Sequence, residues 1–293
     1  QERRYQRMIT VVLALISLIM VIPLVLLVVA SFTSNNEIVL HGYSFFPKEL
    51  SLEAYRYIWN ERAQVFHAYG ITILVTAIGT TIGVMMTLLY AYVLAHEKFP
   101  GKTFLAFYLF FTMLFNGGLV PTYIMYTRYL HMKNTIPALI IPGLLMSAFN
   151  VILTRTYIQS NVPAALSEAA KIDGATEFQV FRKVVLPMCK PIIATVGLFA
   201  GLGYWNDWTN GLYYITDTNK FSIQQLLNNM IKNIEFLSKN ANSNINLASV
   251  GGGIPQETVR MAIAIVGLLP ILIVFPFVQK YFVKGISIGA VKG

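Results

Sequence analysis

Few residues of this 293-residue chain could do covalent chemistry, and their placement argues against it. The four histidines, His41, His67, His96 and His131, lie far apart with no metal-ligand spacing, and each reads as a solvated loop residue. Cys189 is the only cysteine, which excludes an intramolecular disulfide framework and a cysteine-based metal site. No G-x-x-x-x-G-K-[ST] run is present, so the chain has no phosphate-cradling loop for ATP. Asp207 is the one acid within an apolar span, where a central charge costs about 2.5–3.5 kcal/mol on insertion scales. Its place near the outer end of that span suits an interface or a pathway. A membrane enzyme needs acids, histidines or a nucleophile gathered at one depth, and the sequence offers no such group.

Val162 to Pro191 is the only long polar interruption that is itself patterned as structure. Pro163 suits a first helical turn, where a missing N–H costs nothing. Ala164, Ala165, Ala169 and Ala170 are strong helix formers of little bulk. Gly174 can take the left-handed conformation that stops a helix. Thr176 and Gln179 have capping-box spacing and start a second helix. Phe178, Phe181 and Val185 recur on one face of it, and Pro187 ends it. The spacing predicts a short Ala-rich helix, a Gly hinge and a second, amphipathic helix.

The elements around this stretch are apolar. The chain is 56% hydrophobic and 12% charged, with mean hydropathy +0.60, against about a quarter charged in soluble proteins. It reads as an all-α polytopic membrane protein, a single transmembrane domain over 1–293 without repeats or flexible linkers. Six spans are expected. The first is Met8–Phe32, behind Arg3, Arg4 and Arg7, and too long for a signal peptide. An external segment, 33–67, leads to a second span at about 69–95, where Gly79 and Gly83 form a small-xxx-small pair for close helix packing. The third begins near Phe104 and is interrupted from Asn116 to Pro121, either as a simple kink or where the backbone faces a pathway. The fourth covers about Thr135–Tyr157, with Pro142 inside it. The fifth covers about Lys190–Tyr213, and the sixth about Thr258–Phe282, kinked at Pro270 and Pro276. Residues 214–257 are too long for a tight turn and read as a functional external loop with an amphipathic piece, Ile223–Phe236. The tail is 283–293. The chain begins at Gln1 rather than Met, so a few preceding residues are expected.

Six spans put both termini on one side, and charge says which. The net charge of +9 could suggest nucleic acid, but its placement follows the membrane rule. Thirteen of the 22 Lys and Arg fall in the segments proposed as cytosolic, with five of the 13 acids. That side therefore nets +8 and the other +1, which puts the termini and the 162–191 stretch in the cytosol.

Glu168-Ala169-Ala170, Asp173-Gly174-Ala175, Phe181, Val184 and Leu186-Pro187 resemble the EAA loop of ABC importer permeases. The resemblance implies a type I ABC importer permease fold in a bacterial plasma (inner) membrane. The loop, about 160–190, would seat in a cleft of a cytosolic ATPase. Alanines allow close approach, Glu168 can pair with a basic partner residue, and Gly174 permits the bend. Tyr204-Trp205-Asn206-Asp207 is similar to the fifth helix of carbohydrate-uptake permeases. The ending Gln279 to Gly293 resembles the smaller permease of maltose-type importers, and Asn116 to Tyr123 the branch handling complex oligosaccharides. The resemblance covers essentially the full length. It implies a heterodimer with a related permease, two copies of the ATPase, which binds ATP and Mg, and an extracytoplasmic binding protein. No cofactor or metal is expected on this chain itself. It makes Glu168, Ala169, Ala170, Asp173, Gly174, Ala175, Phe181, Lys284 and Lys292 the residues that couple to the ATPase. Sugars present polar edges and apolar faces, so a pathway should mix aromatic rings with amides. Asn116, Tyr123, Asn150, Tyr204, Trp205, Asn206 and Asp207 offer that mixture. The alternatives are an ABC permease for another solute and, from a different class, a secondary transporter, which would carry ion-coupling charges or inverted repeats.

Overall fold

The computed structural model describes residues 2–96, 99–240 and 256–290. Among them the regular elements are helices, with a lone antiparallel bridge between Thr33 and Leu50. Helix α1 is Glu2–Ser31, α2 Asn35–His41, α3 Glu53–Asn60, α4 Arg62–Ala95 and α5 Lys102–Leu114. Then follow α6 (Leu119–Ile124, continued by a wide turn Met125–Tyr129), α7 (Pro137–Ile140) and α8 (Ala148–Asn161). Next come α9 (Ala164–Ile172), α10 (Glu177–Val180, continued by a wide turn Phe181–Val185) and α11 (Leu186–Met188). The last are α12 (Lys190–Trp205), α13 (Thr209–Tyr214), α14 (Ile223–Asn240) and α15 (Gln256–Ala290).

Among the described residues, three stretches are long and apolar enough to cross a bilayer: Arg4–Ser31, Arg62–Ala95 and Glu257–Phe277. Two bent pairs raise the number to five if each is one span: Lys102–Leu114 with Leu119–Tyr129 at 113°, and Glu177–Met188 with Lys190–Trp205 at 81°. Sequence and structure differ at several boundaries. Helix α4 starts at Arg62, so 62–67 is helical rather than loop. The fourth span is not one helix, because Pro142 lacks an N–H and Gly143 takes φ +73°; α7 stops at Ile140 and α8 resumes at Ala148. The fifth span breaks at Asn206–Trp208. Helix α11 runs past Pro187 to Met188, with the wide turn taking up the ring and its missing donor. Helix α15 continues beyond the expected end at Phe282 to Ala290.

The chain forms two compact units. One is Gln1–His67 with Leu226–Leu272. Here α1 exposes apolar side chains all round, as lipid contact requires. At its end Ser31 Oγ and Tyr55 Oη lie 2.8 Å apart, and Phe32 stacks on Tyr55 at 4.7 Å. The Glu37 carboxylate accepts the N–H groups of Lys48 and Glu49. The Lys48 N–H, first, holds that carboxyl below the usual carboxylate range. Leu226, Leu227, Met230 and Ile234 of α14 are buried, the helical spacing read from sequence. Arg260 reaches Glu257 at 3.3 Å and Glu235 at 3.9 Å.

The other unit is Ala68–Gln225 with Ile273–Gly293. Its core joins Leu88, Ala91 and Leu94 of α4 to Leu109 of α5, Val151 and Ile158 of α8, and Val180, Phe181 and Val185 after α9. The glycine pair of α4 sits at tight crossings. A Cβ on Gly79 would enter the Tyr204 ring, and one on Gly83 would lie 2.7 Å from the Leu145 carbonyl oxygen.

Candidate functional site: a rigid turn and a cavity at a broken helix

Helix α9 ends as its composition demands. Gly174 adopts φ +83°, the Ala175 N–H donates to the Ala170 carbonyl at 2.9 Å, and the Gly174 N–H donates to Lys171 at 3.0 Å. These are the two bonds of a Schellman stop. Two residues on, the Gln179 N–H donates to Thr176 Oγ1 at 3.3 Å, and the Thr176 N–H donates to Gln179 Oε1 at 2.8 Å. Both boundaries of the turn are thus fixed by hydrogen bonds, so it is a rigid corner rather than a loose loop.

The corner has two faces. Glu168, Ala169, Asp173 and Gly174 are exposed, whereas Ala170 and Ala175 pack on the core and Phe181 is buried. Phe178, expected to share a face with Phe181 and Val185, points outward at 65% exposure, and Ile172 is 86% exposed. The wide turn Phe181–Val185 shifts the register, so Val180, Phe181 and Val185 form the buried set. Two large apolar side chains beside two carboxylates on a rigid exposed corner form a surface suited to a protein partner. Lys284 falls within α15, but its side chain is outside the described residues, and Lys292 lies outside them altogether.

A cavity of about 390 Å³ opens where the fourth span breaks. Gly83 and Thr87 of α4, Gly143 to Leu145 and Ser147 of the break, Asn150 of α8 and Gly203 of α12 are among the residues lining it. Breaking a helix frees carbonyls that need donors. Tyr204 Oη donates to the Ile140 carbonyl at 3.0 Å, and Asn210 Nδ2 donates to the Pro142 carbonyl at 2.9 Å. Asp207 Oδ1 in turn accepts the N–H groups of Thr209 and Asn210 at 3.0 and 3.1 Å and so starts α13. Tyr204 and Asn210 thereby satisfy carbonyls beside the break.

Of the pathway residues read from sequence, Asn150 lines this cavity. Tyr204 is buried behind it, its ring against Gly79. Trp205 lies 6.3 Å from the Tyr69 ring. Asn206 donates to its own helix at Leu202. Asn116 Oδ1 accepts the Gly118 N–H at 2.8 Å, forming the turn that breaks the third span, and Tyr123 stacks on Tyr214 at 5.9 Å. Sequence reasoning missed Thr87, Ser147 and Asn210. A hydroxyl just after a Pro-Gly break was the signal that could have found Ser147. His96 was also misread. It lies in the loop after α4 but packs on the Tyr92 ring at 4.7 Å, and His41 and His67 lie in α2 and α4 rather than in loops.

An exposed corner fixed by hydrogen bonds and a cavity at a helix break are features that a transport subunit can use. The comparisons supply the family. Residues 2–288 match the family of binding-protein-dependent transport system inner membrane components, and the chain belongs to that family. It is 35% identical over 293 residues, the full length of both chains, to the polygalacturonan/rhamnogalacturonan transport system permease protein YtcP of Bacillus subtilis. It is 34% identical to Protein LplC of the same organism, covering 94% of this chain and 90% of that one. Its fold matches a chain of a bacterial ABC transporter involved in the import of the acidic polysaccharide alginate, with TM-score 0.79 and 28% identity over 96% of this chain and 97% of that one. The chain is therefore a membrane-embedded permease component of an ABC importer, not an enzyme in its own right.

Proposed function

We propose that this permease passes an oligosaccharide, and that it crosses the membrane six times with both termini in the cytosol. The observation that carries the substrate class is the full-length likeness to proteins named for polygalacturonan/rhamnogalacturonan and alginate transport. The cavity fits it. Thr87, Ser147 and Asn150 supply hydroxyl and amide groups, and Gly83, Gly143 and Leu144 supply apolar wall, which suits the hydroxyls and C–H faces of a sugar ring. The heterodimer, the ATPase pair that binds ATP and Mg, and the extracytoplasmic binding protein belong to this proposal. In it the exposed corner, Glu168 to Gly174 with Phe178, docks on the ATPase. Phe181, Ala170 and Ala175 anchor the corner to the bundle, Lys284 and Lys292 lie toward the ATPase, and Asn150 faces the pathway.

Reconstitution with the neighbouring permease, ATPase and binding protein in proteoliposomes tests it. Uptake of labelled oligogalacturonate or another oligosaccharide should require ATP and the binding protein. Uptake confined to a non-carbohydrate solute would favour the other-solute alternative, and uptake driven by an ion gradient without ATP would overturn the proposal.

A further inference from the structure

The corner is tied to the transmembrane bundle through one carboxylate. Glu177 is the first residue of α10. Its Oε1 pairs with Lys171 Nζ in the last turn of α9. Its Oε2 accepts the Tyr92 hydroxyl at 2.9 Å and lies 3.8 Å from His96 Nε2. Tyr92 belongs to the final turn of α4 and His96 follows that helix directly. Beneath the polar contacts the Tyr92 ring packs on Phe181 at 5.2 Å. One side chain thereby joins both legs of the corner and the end of α4. The Lys171 ammonium, first, holds the Glu177 carboxyl below the usual carboxylate range, so it is an anion able to hold both donors.

The far end of the linkage matters for transport. Helix α4 is continuous over 34 residues, and Thr87 and Gly83, about one and a half and two and a half turns before Tyr92, line the cavity. A helix without a break transmits a displacement of its end to its middle. On the coupling role set out above, we propose that Glu177 is a positioning residue that carries movement of the docking corner into α4 and so to the cavity wall. The aromatic packing of Tyr92 on Phe181 holds the parts together, and the carboxylate fixes their angle. The Lys171–Glu177 pair is largely exposed, at 39% and 61%, and such pairs add little to stability. A purely structural role therefore predicts almost no effect of removing it, and a coupling role predicts a loss of transport per ATP.

The complete transporter, with its partner permease, ATPase and binding protein, is assayed in proteoliposomes as solute moved per ATP hydrolysed. Glu177→Gln and Tyr92→Phe should each co-purify with the ATPase at the wild-type level yet move about fivefold less solute per ATP, the net size of one ordinary hydrogen bond. The double variant should be no worse than either single one, and Glu177→Asp should recover most of the loss. Gly174→Val serves as control for the corner itself. Wild-type transport per ATP in Glu177→Gln and Tyr92→Phe, with transport lost in Gly174→Val, overturns the linkage and leaves the coupling role standing. Wild-type behaviour in all three overturns both. If Glu177→Gln fails to assemble, Tyr92→Phe decides alone, since it keeps the ring packing and removes only the hydroxyl.

Discussion

Replacing Gly174 separates backbone conformation from every other influence on the corner. Its φ is +83°, and nothing lies within 4 Å of where a Cβ would stand. A new side chain therefore meets no neighbour, and the whole cost falls on the backbone. The left-handed conformation costs an L-residue about 1–2 kcal/mol, less for Asn, and more for a β-branched chain. That corresponds to about a 5- to 30-fold loss in the population of the closed turn. The order of damage should be Asn, then Ala, then Val. Hydrogen exchange at the Gly174 and Ala175 amides reads the turn directly, because their N–H groups make its two closing bonds to Lys171 and Ala170. Exchange should accelerate in that order, and ATP-driven uptake should fall in the same order while the ATPase still co-purifies. Equal protection and equal uptake for Asn and Val would refute the reasoning, because Val should carry far more backbone strain than Asn at this φ.

Gly83→Ala should lower thermal stability of the purified protein and hinder assembly, at about 1–3 kcal/mol for a crowded crossing, because the Leu145 carbonyl oxygen would lie 2.7 Å from the new Cβ; an unchanged melting curve would count against the packing described. Tyr204→Phe leaves the Ile140 carbonyl without its donor, for about 1–3 kcal/mol, and should destabilise the protein more than it weakens binding of a labelled sugar. Single cysteines at Lys98, Thr176 and Lys292 should react only with reagents that reach the cytosol, and one at Asn242 from outside; external labelling at position 176 would overturn the topology. The Glu37 carboxyl is held below its ordinary value near 4.5, so its grip on the 48–49 backbone is present above that pH and is lost as pH falls through the lower folded value. Protease sensitivity of the 42–50 segment should rise in acid, and a Glu37→Gln variant should show no such rise.

Much of the corner was legible because its signals are local. A Gly stop, a Thr-x-x-Gln box and an Ala run each act within a few residues, and the structure shows each of them. The amphipathic helix after Ile223 was equally readable from its period. The fate of Phe178 was not, since a single wide turn ahead of Pro187 rotates the register and no period analysis carries that information. The fourth span misled for a related reason. Its residues are mostly apolar with a single charge, Arg155, near the end, so hydropathy sees one crossing, whereas Pro142-Gly143 permits a break whose carbonyls are satisfied by side chains some 60 residues away. Such long-range hydrogen bonds leave no mark on composition. The Glu177 linkage shares this difficulty, because Tyr92 and Glu177 are 85 positions apart.

The break also changes what the polar motif of the fifth span means. Tyr204, Asp207 and Asn210 lie in one short stretch, and sequence alone makes the first two a lining for sugar. In the structure their polar atoms are engaged: Tyr204 and Asn210 hold carbonyls of the fourth span, and Asp207 caps the helix that carries Asn210. Their hydrogen bonds tie the break to α12 and α13 beside the cavity. The groups left facing that space come from other elements, Thr87 from α4 and Ser147 and Asn150 around the start of α8. Substitutions at Thr87, Ser147 and Asn150 should therefore change which sugar is moved, while substitutions at Tyr204 and Asn210 should change whether the cavity exists at all. The polar wall and the frame that holds it are thus carried by different helices, so one can vary without rebuilding the other.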